Sequence, residues 1–104
     1  MNTLTGRDLD HAIAELMGDT VSEDGLWSTD DGKQTIWCAD GGPWHYSTDM
    51  NAAMRVWERF GDEWQLNNWQ AKWVVFVPFR SMLGVSVHSP AEAICLAALQ
   101  ESVP

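Results

Sequence analysis

The sequence predicts an α/β fold of the α+β kind: a three-layer α/β/α sandwich with a mostly antiparallel sheet, in the order α-β-β-α-β-β-β-α. Three observations carry this. Three segments of the 104-residue chain repeat their apolar residues with helical spacing. A turn signal at Asp31-Gly32 sits between two short β-prone runs. Three further runs alternate, and the middle one, Trp73–Phe79, is apolar on both faces. A strand of that kind is covered on both sides, which asks for helices above and below it.

The first helix opens at Thr5, a capping residue, with Asp8 three positions on. Leu9, Ala12, Ile13, Leu16 and Met17 then form one stripe, and Gly18 is the stop. Residues 18–47 have no helical period. A hairpin with a type I′ turn at Asp31-Gly32 organises them, pairing Asp30 with Lys33, Trp27 with Ile36, and Leu26 with Trp37. The following "ADGGPWHYSTD" reads as loop, punctuated by Gly41, Gly42 and Pro43.

Ser47 or Thr48 is expected to cap the second helix, with Asp49 in its first turn. Ala52, Ala53, Val56, Trp57 and Phe60 form its buried stripe, and Gly61 ends it. Glu63–Trp69 is a weak strand with Trp64 and Leu66 on one face, and Asn67-Asn68 is placed at a bulge or turn before Trp69. In the next strand Trp73, Val75, Val77 and Phe79 face one way, and Val74 and Phe76 the other. Leu83, Val85 and Val87 alternate with smaller or polar residues in the last strand. The third helix has the clearest start: Ser89 as cap, Pro90 in the first position, and Glu92 completing a capping box. Ala91, Ile94, Cys95, Ala98 and Leu99 make its packing face.

Length and a hydrophobic content of 45% fit one folded domain, residues 1–104, and exclude a disordered chain. No apolar run approaches the length of a membrane span, and the N-terminus lacks a basic-then-apolar leader. A cytoplasmic location is expected. The net charge of −9 is unequally shared. Residues 1–49 hold ten acids against Arg7 and Lys33, whereas residues 50–104 hold five against Arg55, Arg59, Lys72 and Arg80. Such an acidic half repels nucleic acid and anionic membrane, so direct binding to either is not expected. Cys38 and Cys95 are read as thiols rather than a disulfide, Cys95 within an apolar helical pattern.

Three segments, "LTGRDLDHAIAELMG" at 4–18, "YSTDMNAAMRVWE" at 46–58 and "AEAICLAAL" at 91–99, resemble the phage ABA sandwich domain family in order and spacing. The resemblance implies the α/β/α architecture, a phage or prophage origin, and hence the bacterial host cytoplasm. It implies no catalytic residues. Within a single sandwich-like domain, the acidic hairpin and loop at 19–47 stand out as an insertion; no part of Asp19–Trp44 resembles the family.

Seven tryptophans fall between Trp27 and Trp73. Trp57, Trp64 and Trp73 occupy periodic core slots, Trp69 is unassigned, and Trp27, Trp37 and Trp44 lie in the acidic segment. The candidate ligand- or partner-binding set is Trp27, Trp37, Trp44, His45, Tyr46, Arg55 and Arg59, because indoles stack on bases and arginine holds phosphate. No metal-ligand spacing, nucleophilic triad or phosphate loop occurs, so neither enzyme activity, metal nor cofactor is expected. The leading functional expectation is a non-catalytic anti-defence binding protein that sequesters a nucleotide-type immune signal. One alternative is an acidic, nucleic-acid-mimicking inhibitor of a host defence nuclease, in the manner of anti-CRISPR proteins, using Glu23, Asp24, Asp30, Asp31 and Asp40. A second is a phage accessory or assembly protein with a Trp-rich interface between copies of a homo-oligomer.

Overall fold

The computed structural model describes residues 4, 6–29, 34–36, 38–78, 82–86 and 88–102. The described chain runs α1 (Gly6–Met17), β1 (Thr20–Val21), β2 (Trp27–Ser28), β3 (Thr35–Ile36), α2 (Met50–Phe60), β4 (Gln65–Trp69), β5 (Lys72–Phe76), β6 (Met82–Ser86) and α3 (Pro90–Ser102). This is the α+β class and element order expected, with β1 added. The strands form two antiparallel sheets, β1-β2-β3 and β4-β5-β6, rather than one. Among the described residues all pairing is between strands adjacent in the chain.

In α1 the buried residues are Leu9, Asp10, Ile13, Ala14 and Met17. Ala12 and Leu16 of the expected stripe are only partly covered, and the carboxylate of Asp10 takes a core place instead. Gly18, at φ +82°, turns the chain out of the helix in a conformation that costs a side-chain-bearing residue strain. The expected hairpin register is present where it is described: Trp27 pairs with Ile36, and Ser28 with Thr35. The Thr29 amide continues it, donating to the Gln34 carbonyl at 3.0 Å. The expected partners Asp30, Lys33 and Trp37, the turn Asp31-Gly32, and the cap Thr5 lie outside the described residues.

Two local expectations change. The cap of α2 is Asp49, whose carboxylate accepts from the Asn51 amide, rather than Ser47 or Thr48. Ser47 is buried instead, its amide donating to Asp10 and its hydroxyl turned to the Gly6 carbonyl at 3.4 Å. Asn67-Asn68 neither bulges nor turns: the β4–β5 ladder runs unbroken to Trp69 opposite Lys72. The turn is Gln70-Ala71, with both φ angles positive (52° and 62°), as a two-residue type I′ hairpin requires. The bulge lies instead between β5 and β6, at Val75/Phe76.

Helix α3 is the centre of the molecule. It packs on β6 and β5, and α2 and α1 pack on it. Ala91, Ala93, Ile94, Cys95, Ala97 and Ala98 are all fully buried, a wider face than one stripe. A helix apolar nearly all round is an interior helix, and its alanines let neighbours come close. Cys95 is wholly buried there, and that burial pushes its thiol well above the usual range. The start of α3 is a relay. The Glu92 amide donates to Ser89 Oγ as expected, but the Glu92 carboxylate accepts from Ser86 Oγ at 2.9 Å. Ser86 Oγ in turn accepts the amides of His88 and Ser89. The capping box is thus closed through β6, which ties sheet to helix.

The α3-facing side of the second sheet supplies Val75 and Val77 to the core. Its opposite side holds Val74, also buried, beside the exposed Val85, Met82 (64%) and Trp69 (63%). Phe79, Arg80 and Val87 lie outside the described residues. Full burial of a side chain such as Leu9, Ile13, Val56 or Ile94 stabilises by about 1.5–3 kcal/mol.

Candidate ligand-binding site

The loop before α2 owes its shape to α1. Arg7, in the first turn of α1, grips Asp40 with two bonds: Nε donates to Oδ2 at 2.8 Å and Nη2 to Oδ1 at 3.0 Å. The same guanidinium donates to the carbonyls of Pro43 (2.7 Å) and Trp44 (3.3 Å), and to Asp10 Oδ2 (2.7 Å). One rigid fork thereby fixes both ends of the Gly-Gly-Pro segment. Asp10, one turn on and 1% exposed, uses its other oxygen to accept the Ser47 amide at 2.7 Å. A buried carboxylate needs such partners, and here they are an arginine and a backbone N–H.

Two further bonds fasten the segment below. Ser89 Oγ donates to the Ser47 carbonyl at 3.0 Å, and the Tyr46 hydroxyl donates to Asp19. Tyr46 is completely buried, so it is a core residue and not, as expected, part of a binding surface. Burial, with the Asp19 carboxylate beside it, raises its hydroxyl pKa far above the ordinary value.

This scaffold presents Trp44 to α2. The Arg55 guanidinium lies over the Trp44 ring, 4.7 Å from its centroid. Its Nη1 donates to Gln34 Oε1 at a long 3.4 Å, and its Nε is buried without a partner among the described residues. Trp44, Asp49, Asn51, Ala52 and Arg55 line a pocket of about 230 Å³ at the start of α2. The Trp44 indole, the Arg55 guanidinium and the start of α2 form its walls. Asp49 accepts one of the first amides of α2, so its carboxylate already occupies the helix end.

The other candidates separate. Trp27 is half-buried and meets His11 edge-on at 5.7 Å, away from the pocket lining. His45 is exposed, with Nδ1 3.9 Å from Asp10 Oδ2. Arg59 donates to the Met17 carbonyl at 2.8 Å and so secures the end of α1. Glu23 and Asp24 occupy the exposed turn between β1 and β2. Asp40 is engaged by Arg7; the Gly42 amide and then Arg7 hold its carboxyl below the usual range. It is therefore not the free acid that the nucleic-acid mimicry reading needs. Trp37, Asp30 and Asp31 lie outside the described residues. The Cys38 thiol donates to the Pro43 carbonyl at 3.2 Å.

Sequence reasoning missed Arg7, Asp10 and Gln34. A signal for the first two exists in hindsight: "GRDLD" puts an arginine and an aspartate three apart on one helix face, where they can share a partner. Gln34 carries none.

The helices, the two antiparallel sheets and the pinned loop define a small α+β sandwich. The phage ABA sandwich domain model matches residues 11–99, and the chain belongs to that family. The fold is similar to that of a phage protein from Bacillus cereus known from a crystal structure, with a TM-score of 0.62 and 23% identity over 96% of this chain and 94% of that one. No curated protein matches the sequence. Among the described residues no helix is long and apolar enough to cross a membrane.

Proposed function

We propose that this phage protein is a non-catalytic binding protein that takes a small planar ligand bearing negative charge, of the nucleotide type, in the pocket lined by Trp44 and Arg55. The observation that carries this reading is the Arg55 guanidinium, stacked on the Trp44 indole where both line a pocket. Stacking holds a base without regard to its identity, and arginine holds a phosphate oxygen by charge-assisted bonds. The volume of about 230 Å³ accommodates a single base-sized ring system and is small for a dinucleotide. In an infected cell a protein of this kind acts by withdrawing a nucleotide signal from the host's defence.

Calorimetric titration against mononucleotides, cyclic nucleotides and ADP-ribose derivatives tests the proposal. Binding should quench tryptophan fluorescence and fall at least tenfold in both Trp44→Ala and Arg55→Ala. Absence of heat and of quenching across the panel removes the reading.

A further inference from the structure

Strand β4 lies at the edge of the second sheet, with no described strand on its outer side. Edge strands present unpaired amides and carbonyls, and proteins blunt them with charges, prolines, bulges or short length. β4 has none of these devices: it is Gln-Leu-Asn-Asn-Trp, five residues in unbroken register with β5. The opposite edge, β6, carries both the bulge and Gly84. A groove of about 470 Å³ runs along the open side of β4, between it and α2. Four consecutive residues, Trp64 to Asn67, line it together with Met54 and Trp57. Side chains alternate across a strand, so the three successive β4 residues Gln65, Leu66 and Asn67 line one groove only where the strand's backbone edge forms its wall.

The charge distribution selects the occupant. The chain carries 15 acids and a net charge of −9, yet residues 64–91 contain no Asp or Glu. Two copies approaching by most other surfaces bring carboxylates together, whereas β4 meets its own copy without that repulsion. The strand is also self-complementary. Antiparallel pairing about a twofold axis at Asn67 sets Asn67 against the partner's Asn67, Leu66 against the partner's Asn68, and Gln65 against the partner's Trp69. Amide side chains donate and accept equally, so Asn faces Asn without conflict. The pairing also covers Trp69, which is 63% exposed in the single chain.

We infer that two copies of this chain join along β4, making one continuous six-stranded antiparallel sheet. The contact is independent of the Trp44–Arg55 pocket, and its test does not involve a ligand. Sedimentation equilibrium should show a monomer–dimer system, with association strengthened by added salt as the net repulsion is screened. Asn67→Lys and Asn67→Asp each place like charges at the axis and should weaken the dimer at least tenfold. An equimolar mixture of the two should restore it, because each charge then meets its opposite. Asn67 is exposed, so both variants should keep the wild-type circular dichroism. A chain that stays monomeric up to about 1 mM overturns the inference. So does a dimer that both variants leave intact, or a mixture that stays monomeric.

Discussion

Gly84 is the point where α3 rests on β6, and replacing it with alanine is the sharpest test of the packing. A Cβ built there falls 2.2 Å from the Ala93 carbonyl oxygen, 2.7 Å from the Ala97 amide nitrogen and 3.2 Å from the Ala93 carbonyl carbon. All three are backbone atoms of a helix, so no side chain can swing aside. The helix must back away from the sheet by roughly an ångström to reach ordinary contact, and its buried alanines then lose their neighbours on β5. Overpacking of this kind costs about 1–3 kcal/mol, and a backbone clash belongs at the upper end. The gain from a less flexible unfolded chain returns about 0.4–1 kcal/mol, leaving a loss of about 2 kcal/mol. For a domain of this size that lowers the melting temperature by about 8–16 °C.

Urea denaturation of Gly84→Ala, with calorimetry alongside, measures the loss; the neighbouring exposed Val85→Ala serves as control and should cost under about 1 kcal/mol. The double variant Gly84→Ala/Ala93→Gly should be no more stable than Gly84→Ala, because the obstruction is the Ala93 backbone. A loss below about 0.5 kcal/mol for Gly84→Ala, or rescue by Ala93→Gly, refutes the close approach of α3 to β6.

Three further outcomes follow from the pinned loop. Asp10→Ala strips the Ser47 amide and Arg7 of a buried acceptor and should cost about 3–5 kcal/mol by chemical denaturation, against a smaller loss for Asp10→Asn. Gly42→Ala puts a Cβ 2.5 Å from Arg7 Nη2, the far end of a flexible side chain, so it should cost only about 1 kcal/mol while weakening the grip on Asp40. The Asp40 carboxyl is held below its unfolded value, so the stability it lends is complete above about pH 4 and disappears as pH falls through the lower folded value. Melting curves of Asp40→Asn should therefore differ from wild type at pH 6, and the difference should shrink as pH falls below about 4.

The sequence by itself determined the elements whose signals are local. The Trp27–Ile36 register follows from the turn position and the two-residue side-chain period. The start of α3 follows from Ser89, Pro90 and Glu92, whose chemistry satisfies the first amides of a helix. It also showed that Trp64 would be inside. Only the tertiary structure decided what the polar residues do, because their partners lie 33 to 42 positions away. Arg7 finds Asp40, Asp10 finds Ser47, and Arg59 finds Met17. Nothing in composition or spacing separates a buried carboxylate from a solvated one. For the same reason Tyr46 moved from the binding set into the core, and Asp40 from a free acidic surface into an ion pair. Periodicity reports which face of an element is apolar; which distant group will meet a charge is settled when the chain closes on itself.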